Sequence, residues 1–205
     1  MRFGVLRFPG SCDEVDALLA CRRFAEAELI WHGERDLDGV DAVVVPGGFS
    51  YGDYLRAGAI ARFSPAMDAV AEFARSGGPV LGICNGFQVL CEAGLLPGAL
   101  LPNTSLRFLC MQVGLMVASA ETAWTRACAR GERLSIPVKH TTGRYYAPEP
   151  ILDGLEANGQ VTFRYAPGEN PNGSLRDTAP AFSPGPMTTR APSVGSVRSS
   201  CLECL

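Results

Sequence analysis

The sequence predicts a doubly wound α/β fold: a mostly parallel sheet with an antiparallel side sheet. Three observations predict it. Residues 40–45, VDAVVV, form a nearly continuous apolar run, which suits a parallel strand buried on both faces. From the amino terminus the order reads strand, helix, strand, strand, then further helix, which is the rhythm of such a sheet. Residues 79–90, PVLGICNGFQVL, read as a strand, a tight turn and a helix in immediate succession.

The elements follow in chain order. Residues 2–8, RFGVLRF, read as the first strand, and Pro9-Gly10-Ser11 turns the chain. Residues 13–27 carry a helical pattern, with Val15, Leu18, Leu19, Cys21 and Phe24 on one broad face. Residues 28–31 are a short second strand and residues 40–45 a third. The third ends in Pro46-Gly47-Gly48-Phe49-Ser50-Tyr51-Gly52-Asp53. A glycine pair at the carboxyl end of a parallel strand lies where these sheets bind ligands, because it lets backbone approach closely. Ser64-Pro65 opens the next helix with a cap residue and a proline at its first position. Gly77-Gly78-Pro79 stops it.

Beyond the 79–90 stretch, residues 94–102 read as a turn-rich connection. A strand spans 108–117, with further short strands at 135–140, 143–146 and 160–166. Their close spacing predicts the antiparallel side sheet. At Thr178 the character changes to TAPAFSPGPMTTRAPSVGSVRSSCLECL, rich in Pro, Ser and Thr and without apolar period. Composition predicts a domain over 1–177 and an irregular or disordered tail over 178–205.

Composition sets further bounds. With 205 residues and a formal net charge of −3, the chain suits one α/β domain. It has no basic stripe with interleaved aromatics, so nucleic acid is not an expected partner. It lacks the apolar segment of a signal peptide and any run of about eighteen apolar residues, so neither export nor a membrane span is expected. Eight cysteines without regular spacing fit a reducing compartment, and a cytoplasmic location is the expectation. Cys201 and Cys204 form a C-x-x-C without a second pair at ligand spacing, so no metal is expected.

Cys84 stands apart. It sits at the apex of Gly82-Ile83-Cys84-Asn85-Gly86, where strand gives way to helix. This is the geometry of G-x-S-x-G with Cys in place of Ser. The helix that begins beyond it points unpaired N–H groups and a positive dipole end toward the sulfur, which favours the reactive thiolate. Cys84 is the candidate nucleophile. Cys12, Cys21, Cys91, Cys110, Cys128, Cys201 and Cys204 take the ordinary reading of small buried hydrophobes.

These stretches resemble the class I (triad) glutamine amidotransferases, whose fold is flavodoxin-like. Within that family the resemblance points to the glutaminase subunits of phosphoribosylformylglycinamidine synthases of purine biosynthesis. It is carried by PGSCDE, VVVPGGFSYGDYLRAGAIARFSP, GPVLGICNGFQVLCEAGLLPGAL, IPVKHTTGRYYA and NPNGSLRD, of which GGFSYGDYLRAGAIA is the most specific. The resemblance implies that Cys84 attacks the side-chain amide of glutamine, releasing glutamate and ammonia. It implies an oxyanion hole from N–H groups near Gly48, Phe49 and Asn85, with Gln88 helping to hold the substrate. Residues 103–108, with Ser105 and Phe108, resemble the segment that grips the amino-acid end of glutamine, and His140 matches a histidine of the pattern other than the triad base. The implied partners are a large synthase subunit, which uses the ammonia and binds ATP with magnesium, and a small third subunit. No G-x-x-x-x-G-K-[ST] occurs in this chain, and no cofactor is expected on it.

The family completes its triad with a His and a Glu in a P-H-P-E stretch near the C-terminus, and none stands here. The only histidines are His32 and His140. His32, at the end of the second strand, reads as a surface or edge residue. HTTGR at 140–144 stands where the family usually carries H-G-E-G. The resemblance therefore predicts an impaired glutaminase, since a positioned acid–base group is worth roughly 10²–10⁴ in rate. The abrupt change after Asp177 is the pattern of an out-of-frame tail, with a divergent tail as the alternative. Two other functions fit the same residues: a non-catalytic scaffold subunit of the same complex, and another hydrolase with a cysteine elbow.

Overall fold

The computed structural model describes residues 1–179. Of the tail expected over 178–205, residues 180–205, with Cys201 and Cys204, lie outside them; Thr178 and Ala179 are described and are not irregular, since both are buried and Thr178 bridges to Arg164. The described chain divides into two units, the first Met1–Leu96 and the second beginning at Pro97.

The first unit is a four-stranded parallel sheet: β1 (Arg2–Arg7), β2 (Glu26–Trp31), β3 (Ala42–Val45) and β4 (Val80–Gly82), in the order β2-β1-β3-β4. Phe3 pairs with both Ala27 and Ala42, and Val5 with both Leu29 and Val44, so β1 is a central strand. Central strands must be apolar on both faces. All four residues of β3 are buried, as are Phe3, Val5 and Leu6 of β1. The three helices are α1 (Glu14–Arg22), α2 (Pro65–Arg75) and α3 (Asn85–Glu92). The sheet grows from β1 to β2 in one direction and from β3 to β4 in the other. Right-handed crossovers then put α1 and α2 on opposite faces. The reversal falls between β1 and β3, and the loops leaving their carboxyl ends are residues 8–13 and 46–53.

Boundaries in this unit differ from the sequence reading, with β1 ending at Arg7 and β3 beginning at Ala42 instead of residue 40. The helix expected over 13–27 ends at Arg22, because Phe24 and Ala25 both donate N–H to the Cys21 carbonyl and close the turn. Strand β2 accordingly begins at Glu26 instead of residue 28. The expected broad face also narrows. Glu14, Leu18 and Cys21 are buried, at the i, i+4, i+7 spacing of one stripe. Val15, Leu19 and Phe24 fall on other sides of the helix or beyond its end, and are exposed.

The second unit holds the antiparallel sheets. Strands β6 (Leu109–Val117), β7 (Arg133–His140) and β9 (Phe163–Tyr165) form one, ordered β7-β6-β9. Their inward residues, Val113, Leu115, Val117, Leu134, Ile136, Val138, Phe163 and Tyr165, make its core. Pro137 lies on β7, an edge strand, where a missing N–H leaves no ladder bond broken. A second pair joins β5 (Ala99–Leu101) to β8 (Arg144–Tyr146). Strand β5 lies in the stretch expected to be a turn-rich connection. A helix that the sequence reading left out, α4 (Glu149–Ala157), buries Leu152 and Leu155. Arg176 ties the chain after β9 to this helix through Glu149, Asp153 (2.7 Å) and Glu156 (3.3 Å).

Candidate active site

The elbow is built by packing at the end of β4. Cys84 has φ 50° and ψ −109°, a conformation that L residues rarely adopt, with helix α3 beginning at the next residue. Such strain concentrates at functional positions. The flanking glycines serve as the small neighbours that a strained turn needs. Neither Gly82 nor Gly86 has positive φ; what they provide is space. A Cβ on Gly86 would stand 1.9 Å from the Val45 carbonyl oxygen, and one on Gly82 would stand 2.8 Å from the Phe87 nitrogen. The strained residue is the cysteine, and the glycines let α3 sit against the ends of β3 and β4.

Loop 46–53 lies beside the elbow. A Cβ on Gly47 would stand 3.5 Å from Cys84 Cβ and 2.4 Å from Asp13 Oδ2, so the Asp13 carboxylate comes close to the Cys84 side chain. Asp13 was missed by the sequence reading; its one signal is its place in the PGSCDE stretch. Gly48 has φ 141° and forms an antiparallel bridge with Ser11. The Phe49 N–H donates to the Gly10 carbonyl at 2.9 Å, a bond it would give up to act as an anion donor. The N–H groups of Gly48 and Asn85 meet no acceptor among the described residues.

Asn85 joins loop and elbow through its side chain. Its Oδ1 accepts the Ser50 N–H at 3.0 Å, and its Nδ2 donates to Asp53 Oδ1 at 3.0 Å and Gln88 Oε1 at 2.9 Å. It is 3 % exposed, so these bonds satisfy a buried amide. Gln88 stands one helical turn past Cys84, as its spacing predicted. Burial raises the Asp53 carboxyl above its usual range, opposed by the bonds from Asn85 and the Gly58 backbone.

His32 is not a bare surface residue. Its Nδ1 lies 2.7 Å from the Tyr51 hydroxyl, inside the GGFSYGD stretch. No sequence signal links two residues nineteen apart on different elements; only the fold does. The expected burial of the remaining cysteines holds for Cys21, while Cys91 and Cys128 are half-buried and Cys12 and Cys110 are exposed. Cys12 sits in the turn after β1, and Cys110 on the outer end of β6. Burial, then Glu92, pushes the Cys91 thiol up to about 12, so it is inert.

The other predicted residues lie in the second unit. Asn103, fully buried, donates to the Arg107 and His140 carbonyls at 2.9 and 3.0 Å and accepts the Gly143 N–H at 3.1 Å. These bonds shape the 103–108 loop, on which Ser105 is exposed, Leu106 has φ 55° and Phe108 is 56 % exposed. The His140 ring packs over Gly143, with Nε2 at 3.3 Å from Asn172 Nδ2. Burial lowers the His140 pKa.

A parallel sheet ordered 2-1-3-4, with a cysteine elbow after β4 and a glycine-pair loop after β3, is the framework of an amidotransferase. The chain belongs to the family of the CobB/CobQ-like glutamine amidotransferase domain, which matches residues 1–185. It is 62 % identical over 179 residues to phosphoribosylformylglycinamidine synthase subunit PurQ of Mycobacterium tuberculosis, covering 87 % of this chain and 79 % of that one. The same subunit of Rubrobacter xylanophilus is 58 % identical over 186 residues, with 90 % and 84 % covered. Among solved structures, PurLQS from Thermotoga maritima superposes with a TM-score of 0.78 at 36 % identity, covering 90 % of this chain and 86 % of that one. Among the described residues no helix is long and apolar enough to cross a membrane.

Proposed function

We propose that this chain is the glutaminase subunit of a phosphoribosylformylglycinamidine synthase, supplying ammonia to a large ATP-using synthase partner, with a small third subunit completing the complex. The observation that carries the reading is Cys84 at φ 50° on the elbow, close to Gly47 of the loop that carries the Gly48 N–H and one residue before Asn85.

In this reading the Cys84 thiolate attacks the side-chain carbonyl carbon of glutamine. The carbonyl π pair moves to oxygen, and the Gly48 and Asn85 N–H groups stabilise that oxyanion. Such a donor is worth about 2.7–4 kcal/mol. Collapse expels the nitrogen, which takes a proton and leaves as ammonia, and the γ-glutamyl thioester remains. Water then adds to the thioester, and collapse returns glutamate and the thiol. Gln88 helps to hold the substrate, and the resemblance assigns Ser105, Phe108 and His140 to substrate binding. ATP and magnesium act on the partner.

Both expulsion of ammonia and activation of water need proton transfer. Of the two histidines, His32 is bonded to Tyr51 and His140 to Asn172. We therefore assign this 205-residue polypeptide a reduced turnover, by roughly 10²–10⁴ relative to a glutaminase with a positioned base. The test is a steady-state assay of glutamine-dependent ammonia release with the synthase partner present. Slow release that is abolished by Cys84→Ala supports the reading. Ordinary turnover overturns the impairment, and co-purification with no release at all favours the scaffold.

A further inference from the structure

We infer that His32 is a positioning residue, which acts through Tyr51 to fix the turn presenting the Gly48 N–H beside Cys84. The inference rests on the glutaminase reading above.

The turn needs holding. Tyr51, Gly52 and Asp53 have φ of 54°, 70° and 52°, three successive residues in the left-handed region. A non-glycine residue there costs about 1–3 kcal/mol and persists only where its surroundings over-determine it. Asn85 grips the turn at Ser50 and Asp53. Tyr51, between them, is held from the opposite side. Its N–H donates to the Pro9 carbonyl at 2.6 Å, and its ring lies 6.4 Å from that of Phe8 and edge-on to His32 at 5.5 Å.

His32 is a firm anchor. Its N–H donates to the Arg7 carbonyl at 2.9 Å, its carbonyl accepts the Ala66 N–H at 3.0 Å, and its ring packs on Trp31 at 4.4 Å. The bond from this ring to the Tyr51 hydroxyl ties the turn to the end of β2. Tyr51 is three residues from Gly48, and the intervening Phe49 is bonded to Gly10. Release of the tyrosine therefore loosens the segment that carries the oxyanion donor. A shift of about 1 Å at such a donor is enough to slow chemistry by an order of magnitude or more.

The test compares two reagents on Cys84 in the full chain. A glutamine-analogue chloromethyl ketone reacts through a tetrahedral oxyanion and needs the donors. Iodoacetamide reacts by direct displacement at carbon and does not. His32→Phe and Tyr51→Phe each keep an aromatic ring and lose the bond. Each is expected to slow the ketone about tenfold while leaving the iodoacetamide rate unchanged. His32→Asn, which keeps a polar group near the Nδ1 position, is expected to restore most of the ketone rate, and the double Phe variant to be no slower than either single one. An unchanged rate ratio in both single variants, or a parallel fall in both rates, overturns the inference. Failure of the glutaminase reading shows separately, as wild-type ketone labelling that glutamine does not slow; the inference then falls with it.

Discussion

Asn85 donates to Asp53 across 3.0 Å, and the residue before Asn85 is Cys84. One buried amide thus links the loop after β3 to the cysteine elbow after β4. Two sequence stretches, GGFSYGD and GICNGFQ, are separate in the chain and form one constellation in the fold.

Asn85→Ala leaves the Asp53 carboxylate and the Ser50 N–H without that partner. Such losses cost about 1–3 kcal/mol. The expected outcome is a chain destabilised by that amount in urea unfolding, with Cys84 still alkylated by iodoacetamide. Unchanged stability would show that the linkage carries no energy.

The Asp53 carboxyl has a folded pKa raised above its unfolded value. The folded state therefore holds this proton more tightly, and stability is lost as pH rises through the window that starts near the unfolded value of about 3.9. Asp53→Asn keeps an oxygen to accept from Asn85 and has no proton to lose. Its stability, followed by thermal melts, is expected to fall less than wild type as pH rises from about 3.5 to 6, with the difference persisting above.

His140 has the opposite sign to Asp53. Its folded pKa is lowered by burial, so the unfolded state binds the proton more tightly. Stability should fall as pH drops below the unfolded value of about 6.5. His140→Gln, which can still bond Asn172, is expected to flatten that acid-side loss in melts monitored between about pH 7 and 5. An identical pH dependence in variant and wild type would contradict the buried neutral ring.

The glycines of the elbow predict a contrast. Gly86→Ala places a methyl against the Val45 carbonyl oxygen, 1.9 Å away, where backbone must move. A loss of about 3 kcal/mol is expected. Gly154→Ala in α4 meets nothing within 4 Å and should gain about 0.5–1 kcal/mol. Denaturant midpoints of the two variants read both outcomes.

What the sequence showed and what it hid follow from the range of the interactions involved. The apolar run of β3, the Ser64-Pro65 start of α2 and the glycine-framed Cys84 are local signals, and all three elements stand where they predict. The sequence predicts too long an α1 because Phe24 continues its apolar period, while the Cys21 carbonyl ends the helix through a turn that has no side-chain signature. Strand β5 is three residues long among glycines and prolines, and α4 begins behind Pro148. In the site, Cys84 is legible from its frame alone. Asp13 near Gly47, the Phe49 N–H on Gly10, and His32 on Tyr51 depend on how β1, β2 and β3 lie side by side, and no residue pattern announces them.

In the glutaminase reading, Cys84 is a nucleophile shaped for glutamine. Peptide mapping by mass spectrometry, after treatment with less than one equivalent of a glutamine-analogue chloromethyl ketone, tests it most directly. The label is expected on Cys84, although Cys12 and Cys110 are the exposed thiols among the described residues, and glutamine is expected to protect against it. Label on Cys12 or Cys110, or labelling of Cys84 that glutamine leaves unchanged, would contradict it.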